Sequence, residues 1–122
     1  MIIKRGGVYL AALDPVVGHE ISKTRPIVII SNDKNNSLSG TVTVLPITSK
    51  KLDIIYPFET FLSLGMGNLP KPSKVKADQI RTLDKSRIVK YIGDLSIDIV
   101  RDIEKAVAIH LGIEIKPESP AL

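Results

Sequence analysis

Apolar residues along this chain fall mostly in short runs rich in β-branched side chains, a strand pattern, and only one late stretch repeats at helical spacing. Val8-Tyr9-Leu10-Ala11-Ala12-Leu13 is stopped by Asp14-Pro15, residues 27–31 form a second run, and Thr41-Val42-Thr43-Val44-Leu45 alternates polar and apolar. Pro46 cannot donate to a ladder, so the third strand is predicted to end, bulge or lie at an edge there, presenting Thr48 and Ser49 outward. Residues 57–62 make a fourth strand. Residues 73–81 and 87–92 make two more, joined by a Leu83-Asp84-Lys85-Ser86 turn. Residues 32–40 have the Asn, Asp, Ser and Gly composition of a loop, and residues 63–72, with two glycines and two prolines, read as a long loop. Its Gly65-Met66-Gly67 is no phosphate cradle, because prolines follow where a helix N-terminus would have to stand.

The helical stretch places Ile97, Val100, Ile103, Val107 and Leu111 on one stripe, with Ser96 as N-cap and Gly112 as C-terminal stop. His110 is expected at the negative end of that helix's dipole. Five or six strands with a single late helix fit a mainly β fold, a small and partly open barrel, better than a parallel α/β sheet, because helices do not alternate with strands. A chain of 122 residues with 43% hydrophobic content is expected to fold as one domain over residues 1–113, with residues 114–122 a frayed tail.

Composition narrows the chemistry. With no cysteine there is no disulfide, thiolate nucleophile or Cys-based zinc site. His19 and His110 follow no metal-ligand spacing, so neither a metal nor a cofactor is expected. The net charge of +4 suits a polyanionic partner without demanding one. The N-terminus lacks a signal-peptide core and no apolar run reaches membrane-spanning length, so a cytoplasmic protein with no membrane partner is expected.

Polar clusters interrupt the apolar scaffold at residues 19–25, 48–51 and 76–81. Arg25 is the most informative residue, because Pro26 holds it extended at a strand's first position, where a permanently charged guanidinium can address a phosphate. A chemistry that uses an arginine and a hydroxyl, without metal or thiol, narrows to phosphoryl transfer within RNA, where the nucleophile is the substrate's own 2′-hydroxyl. In that reading Arg25 stabilises charge, Thr48 donates a hydrogen bond to a phosphoryl oxygen, and Glu20 accepts a proton or orients Arg25. Spacing alone leaves plainer alternatives open: a salt-bridged arginine, a strand-end threonine, a solvated carboxylate and a surface imidazole at His19.

At these same residues the chain resembles the MazF/PemK family of toxin endoribonucleases from bacterial toxin–antitoxin systems. The resemblance runs through Ile3-Lys4-Arg5-Gly6-Gly7-Val8-Tyr9-Leu10, the Gly18-His19-Glu20 loop, Arg25-Pro26 and its apolar strand, Ile47-Thr48, and Ala77-Asp78-Gln79-Ile80-Arg81-Thr82-Leu83-Asp84-Lys85-Ser86-Arg87. It implies an SH3-like, partly open barrel with a C-terminal helix, a homodimer, and metal-independent, sequence-selective cleavage of single-stranded mRNA that leaves a 2′,3′-cyclic phosphate and a 5′-hydroxyl. It implies Arg25 and Thr48 as the catalytic pair, Gly18 and Glu20 in the family's loop pattern, and Gln79 in the strand motif that borders the RNA groove; His19, Glu20, Ser49, Lys50 and Gln79 are the expected substrate-binding residues. Lys51 and Lys76 join Lys50 as candidate phosphate contacts. A MazE-like antitoxin with an extended acidic segment across the RNA groove is the expected partner. His19 stands where a serine is common, and residues 21–24 replace a more glycine-rich linker. With aromatics at 4% and no tryptophan, recognition is expected to lean on hydrogen bonds and phosphate contacts instead of stacking. Two competing readings use the same barrel: a gyrase-binding toxin like CcdB, which has no need of Arg25 and Thr48, and a non-catalytic RNA-binding barrel.

Overall fold

A computed structural model describes residues 1–114 of the chain. Its strands are β1 (Gly7–Ala12), β2 (Thr24–Ile29), β3 (Thr41–Thr48), β4 (Glu59–Leu62), β5 (Ser73–Lys76), β6 (Arg81–Asp84) and β7 (Ile88–Asp94), with helices α1 (Asp33–Leu38) and α2 (Ile97–Leu111). The strands pair in the order β4-β5-β3-β2-β1-β7, β6 adding to β3, and every pairing is antiparallel. The sheet ends at β4 and β7, which leaves the barrel partly open, as the single late helix and short strands predict.

β3 organises the sheet. On one edge Val44–Pro46 pairs with Ile27–Ile29 of β2; on the other Thr41–Val44 pairs with β6, and Ile47 and Thr48 pair with β5. The strand therefore runs through Pro46 instead of ending there. Leu45 and Pro46 occupy the gap between β6 and β5, where a residue with no N–H costs least. The same changeover breaks the strand expected at 73–81, because β5 and β6 serve different stretches of one β3 edge and a 3-10 turn at Ala77–Gln79 makes the corner between them.

Residues 32–40 are also not wholly a loop. Asn32 caps α1 by accepting from the Asn35 N–H at 2.9 Å, and the buried Asn36 donates through Nδ2 to the Ser31 carbonyl at 2.9 Å. Polar side chains hold this single short helix, so it carries no apolar period to detect. α2 matches expectation at its ends: Ser96 Oγ accepts from the Ile99 N–H at 3.3 Å, and Gly112 takes the left-handed conformation at φ 68°. Its buried face is Val100, Ile103 and Ala106 with Val107 half-buried, while Ile97 and Leu111, the ends of the predicted stripe, are exposed. The frayed tail expected from residue 114 onward lies outside the described residues except for Glu114 itself.

The core has two parts. Val8, Val28, Leu45, Ile47, Leu62 and Val75 pack with α2, whereas Tyr9, Ala11, Leu13, Ile27, Ile29, Val44 and Leu83 pack on the other side of the sheet. Successive residues of β1 and β2 thus enter different clusters, which is why those strands read as continuous apolar runs instead of alternating ones. The 63–72 loop is pressed against this frame: a Cβ on Gly93 would lie 2.5 Å from the Gly67 carbonyl oxygen, so only glycine permits the approach. Among the described residues no helix is long and apolar enough to cross a membrane.

Candidate active site

Between β1 and β2 the chain makes a long loop over residues 13–23 that is closed at its base by the Leu13 N–H donating to the Lys23 carbonyl at 2.9 Å. Side chains from the β6 region grip this loop by its main chain. Arg81 donates to the Leu13 carbonyl at 3.2 Å, and Arg87 donates to the Ala12 carbonyl at 3.1 Å and to that of Asp14. Nearer the tip, the Ile21 N–H donates to Gln79 Oε1 at 2.7 Å, and Gln79 Nε2 donates to the His19 carbonyl at 3.3 Å. Val16 and Ile21 turn inward against the Tyr9–Leu83 cluster, leaving Val17, Gly18, His19 and Glu20 exposed.

The loop forms one wall of a cleft of about 280 Å³. Its other walls come from β2 (Arg25, Pro26), the end of β3 and the turn beyond it (Ile47, Thr48, Ser49, Lys50), and the 63–72 loop (Leu69, Pro70, Lys71). The cleft opens because β2 and β3 part company: their ladder stops at Ile27↔Pro46, while β2 stays paired to β1 as far as Thr24. Continuing that register by two residues brings Arg25 opposite Thr48. The ladder does not extend that far, but both residues line the cleft where the two strands part, so the strand layout brings this arginine and this hydroxyl to one site. Arg25 donates through Nε to the Ser22 carbonyl at 3.2 Å, and its two terminal nitrogens have no hydrogen-bond partner among the described residues. Thr48 Oγ1 accepts from the Lys50 N–H at 3.1 Å, which folds the turn and leaves the hydroxyl hydrogen free to donate.

Of the residues expected at the site, Arg25, Thr48, His19, Glu20, Ser49 and Lys50 all line the cleft. Gln79 does not line it, being turned onto the loop backbone instead. Lys51 and Lys76 lie in a neighbouring depression, and Lys76 is tied to Glu59 at 2.9 Å, so neither is a cleft cation. Sequence reasoning missed Lys71 and Pro70. The signal was present in the alternation Leu69-Pro70-Lys71-Pro72, a stiff segment with one projecting cation.

Beside the cleft lies a buried charge cluster. Lys74, paired with Thr48 across β3 and β5, donates through Nζ to Glu59 Oε1 at 3.0 Å and to the carbonyls of Lys51 at 2.9 Å and Ile54 at 3.1 Å. The Glu59 side chain is 0% exposed and that of Lys74 4%. Burial pushes the Glu59 carboxyl up, but the Tyr56 N–H and the two ammonium groups outweigh it and leave the group below its ordinary value.

The family described as PemK-like, MazF-like toxin of type II toxin–antitoxin systems matches residues 4–111. The chain belongs to this family. Endoribonuclease MazF9 of Mycobacterium tuberculosis is 32% identical over 117 residues, 92% of this chain and 98% of that protein. Among solved structures, MazF (Form-I) from Deinococcus radiodurans has a TM-score of 0.79 at 26% identity, covering 92% of this chain and 98% of that one. An endoribonuclease in complex with its cognate antitoxin from Mycobacterial species has a TM-score of 0.74 at 24% identity, covering 94% of this chain and 98% of that one. In this MazF-family toxin the family match spans every segment that lines the cleft, from the 13–23 loop to Ser73 of β5.

Proposed function

We propose that this toxin endoribonuclease cuts single-stranded RNA by in-line attack of the substrate's own 2′-hydroxyl on the adjacent phosphorus. The O2′–P bond forms, the P–O5′ bond breaks, and the products carry a 2′,3′-cyclic phosphate and a 5′-hydroxyl. The observation that carries the reading is the guanidinium of Arg25, fixed through Nε with its terminal nitrogens unengaged, in the same cleft as Thr48. Those nitrogens offer donors to the equatorial phosphoryl oxygens, where charge accumulates in the transition state, and Thr48 adds a hydroxyl donor. Glu20 accepts the proton leaving the 2′-hydroxyl, and the departing 5′-oxygen takes one from solvent at the cleft mouth. Lys50 and Lys71 bind flanking phosphates, and His19 and Ser49 meet the bases. No metal takes part in this mechanism.

The toxin acts in the cytoplasm as a homodimer, and a MazE-like antitoxin silences it by laying an acidic segment along the cleft, whose phosphate-binding cations accept carboxylates equally well. The similar structures of an endoribonuclease with its cognate antitoxin and of MazE-MazF (Form-II) from Deinococcus radiodurans support the antitoxin part of this reading. The pairing of Arg25 with Thr48 favours a nuclease over a gyrase-binding toxin, which would need neither. Purified protein incubated with a defined mRNA in EDTA, followed by mapping of 5′ ends, tests the proposal. Cuts at a recurring short motif are expected. Absence of cuts, or equal cutting by Arg25→Ala, refutes it.

A further inference from the structure

We infer that Gln79 is a positioning residue: its carboxamide sets the tip of the 13–23 loop and, through the Ser22 carbonyl, aims Arg25 into the cleft. The inference rests on the reading of Arg25 as the phosphate-binding arginine. A primary amide presents an acceptor and a donor on one edge, the same pattern that one strand residue, through its own C=O and N–H, offers an antiparallel neighbour. Gln79 uses both, accepting from the Ile21 N–H at 2.7 Å and donating to the His19 carbonyl at 3.3 Å, so one side chain stands in for a missing strand. Its own backbone is braced in the Ala77–Gln79 turn, where the Ile80 N–H closes on the Ala77 carbonyl at 3.3 Å.

The next link is covalent. Ser22 follows Ile21 directly, and its carbonyl is the acceptor that holds Arg25 Nε at 3.2 Å. A guanidinium is rigid and planar, so the direction of its Nε–H bond sets where the two terminal nitrogens point. The other grips on the loop act at its base: Arg81 on Leu13, Arg87 on Ala12 and Asp14, and Leu13 on Lys23. Near the tip the polar hold is Gln79, beside the apolar side chain of Ile21. Losing the carboxamide therefore releases the tip while the base stays closed. The carboxamide edge that makes these two bonds is committed to the loop, and Gln79 does not line the cleft.

The test is Gln79→Leu, which keeps the bulk of a half-exposed side chain and removes both bonds. Two measurements are needed, amide hydrogen exchange by NMR on the free protein and single-turnover plus steady-state cleavage of a defined single-stranded RNA. The Ile21 amide is expected to exchange about five- to tenfold faster while the Leu13 amide at the loop base keeps its protection. kcat is expected to fall about 10- to 100-fold with KM changed less than about twofold, the signature of a misaimed group and not of a lost contact. The inference is overturned by an Ile21 amide that keeps its protection, by an unchanged kcat, or by a raised KM with kcat intact, which is what direct RNA contact would give. Amide exchange involves no RNA, so a failure of the ribonuclease reading, seen as undiminished cutting by Arg25→Ala, is distinguishable from a failure of the clamp.

Discussion

Two cations flank Thr48, and they have opposite fates. Lys74 sits opposite it on β5 with its ammonium buried and its three donors taken by Glu59 and the carbonyls of Lys51 and Ile54. Arg25 lines the same cleft as Thr48 from the β2 side, with one nitrogen engaged and the outer two without a hydrogen-bond partner among the described residues. Both are basic residues at strand positions, and charge alone does not tell them apart. Saturation does: a cation whose donors are all satisfied inside the protein has been committed to the fold, whereas one held by a single bond retains its binding capacity for a ligand.

The largest effect expected from this contrast is on stability. Lys74→Met leaves Glu59 buried with only Lys76 beside it and should cost about 3–5 kcal/mol in chemical denaturation. A loss below about 0.5 kcal/mol would move Lys74 out of the structural class. Next comes Arg25→Ala, which should leave stability within about 0.5 kcal/mol of wild type yet remove about 2–4 kcal/mol of transition-state stabilisation, read from kcat/KM on a defined RNA. Arg25→Lys should recover only part of that loss, since it keeps the charge but not the fork.

A smaller effect concerns pH. The folded-state pKa of Glu59 lies below its ordinary value of 4.5, so its contribution is fully present above that value and is lost as pH falls through the lower folded-state pKa. Denaturation midpoints measured from pH 6 downward should show an acid limb that is shallower in Glu59→Gln; an unchanged limb would mean that Glu59 does not carry it. The smallest effect is at Lys50. If this exposed lysine meets one phosphate, Lys50→Ala should reduce the slope of log affinity against log salt by about 0.7, measured with a non-cleavable single-stranded RNA.

The parts legible in the sequence are those written locally. β1 and β2 were visible because both faces of each strand are buried, and α2 because Ser96, Gly112 and the Val100-Ile103-Val107 spacing agree. Arg25 and Thr48 stand out because a proline lies within two residues of each, Pro26 and Pro46. What escaped was long-range. Nothing around residue 77 announces the corner that splits β5 from β6, since the cause is the sharing of β3 between them. No local signal marks Lys74 and Glu59 as buried, because their burial depends on a pairing between β4 and β5. The motif points Gln79 at the substrate, and only the folded loop reveals that one edge of its amide is bonded to the loop backbone.

The way the 13–23 loop is held has a consequence for how such a protein changes over time. Arg81, Arg87 and Gln79 grasp peptide groups and no side chain, so the fold does not depend on the identity of His19, which lines the cleft mouth. Substitution there meets little resistance from folding, while the same substitutions alter what lines the cleft mouth. On the proposed reading the loop is an exchangeable reading head on a fixed carriage, able to acquire a new preference at His19 while Arg25 and Thr48 stay in place.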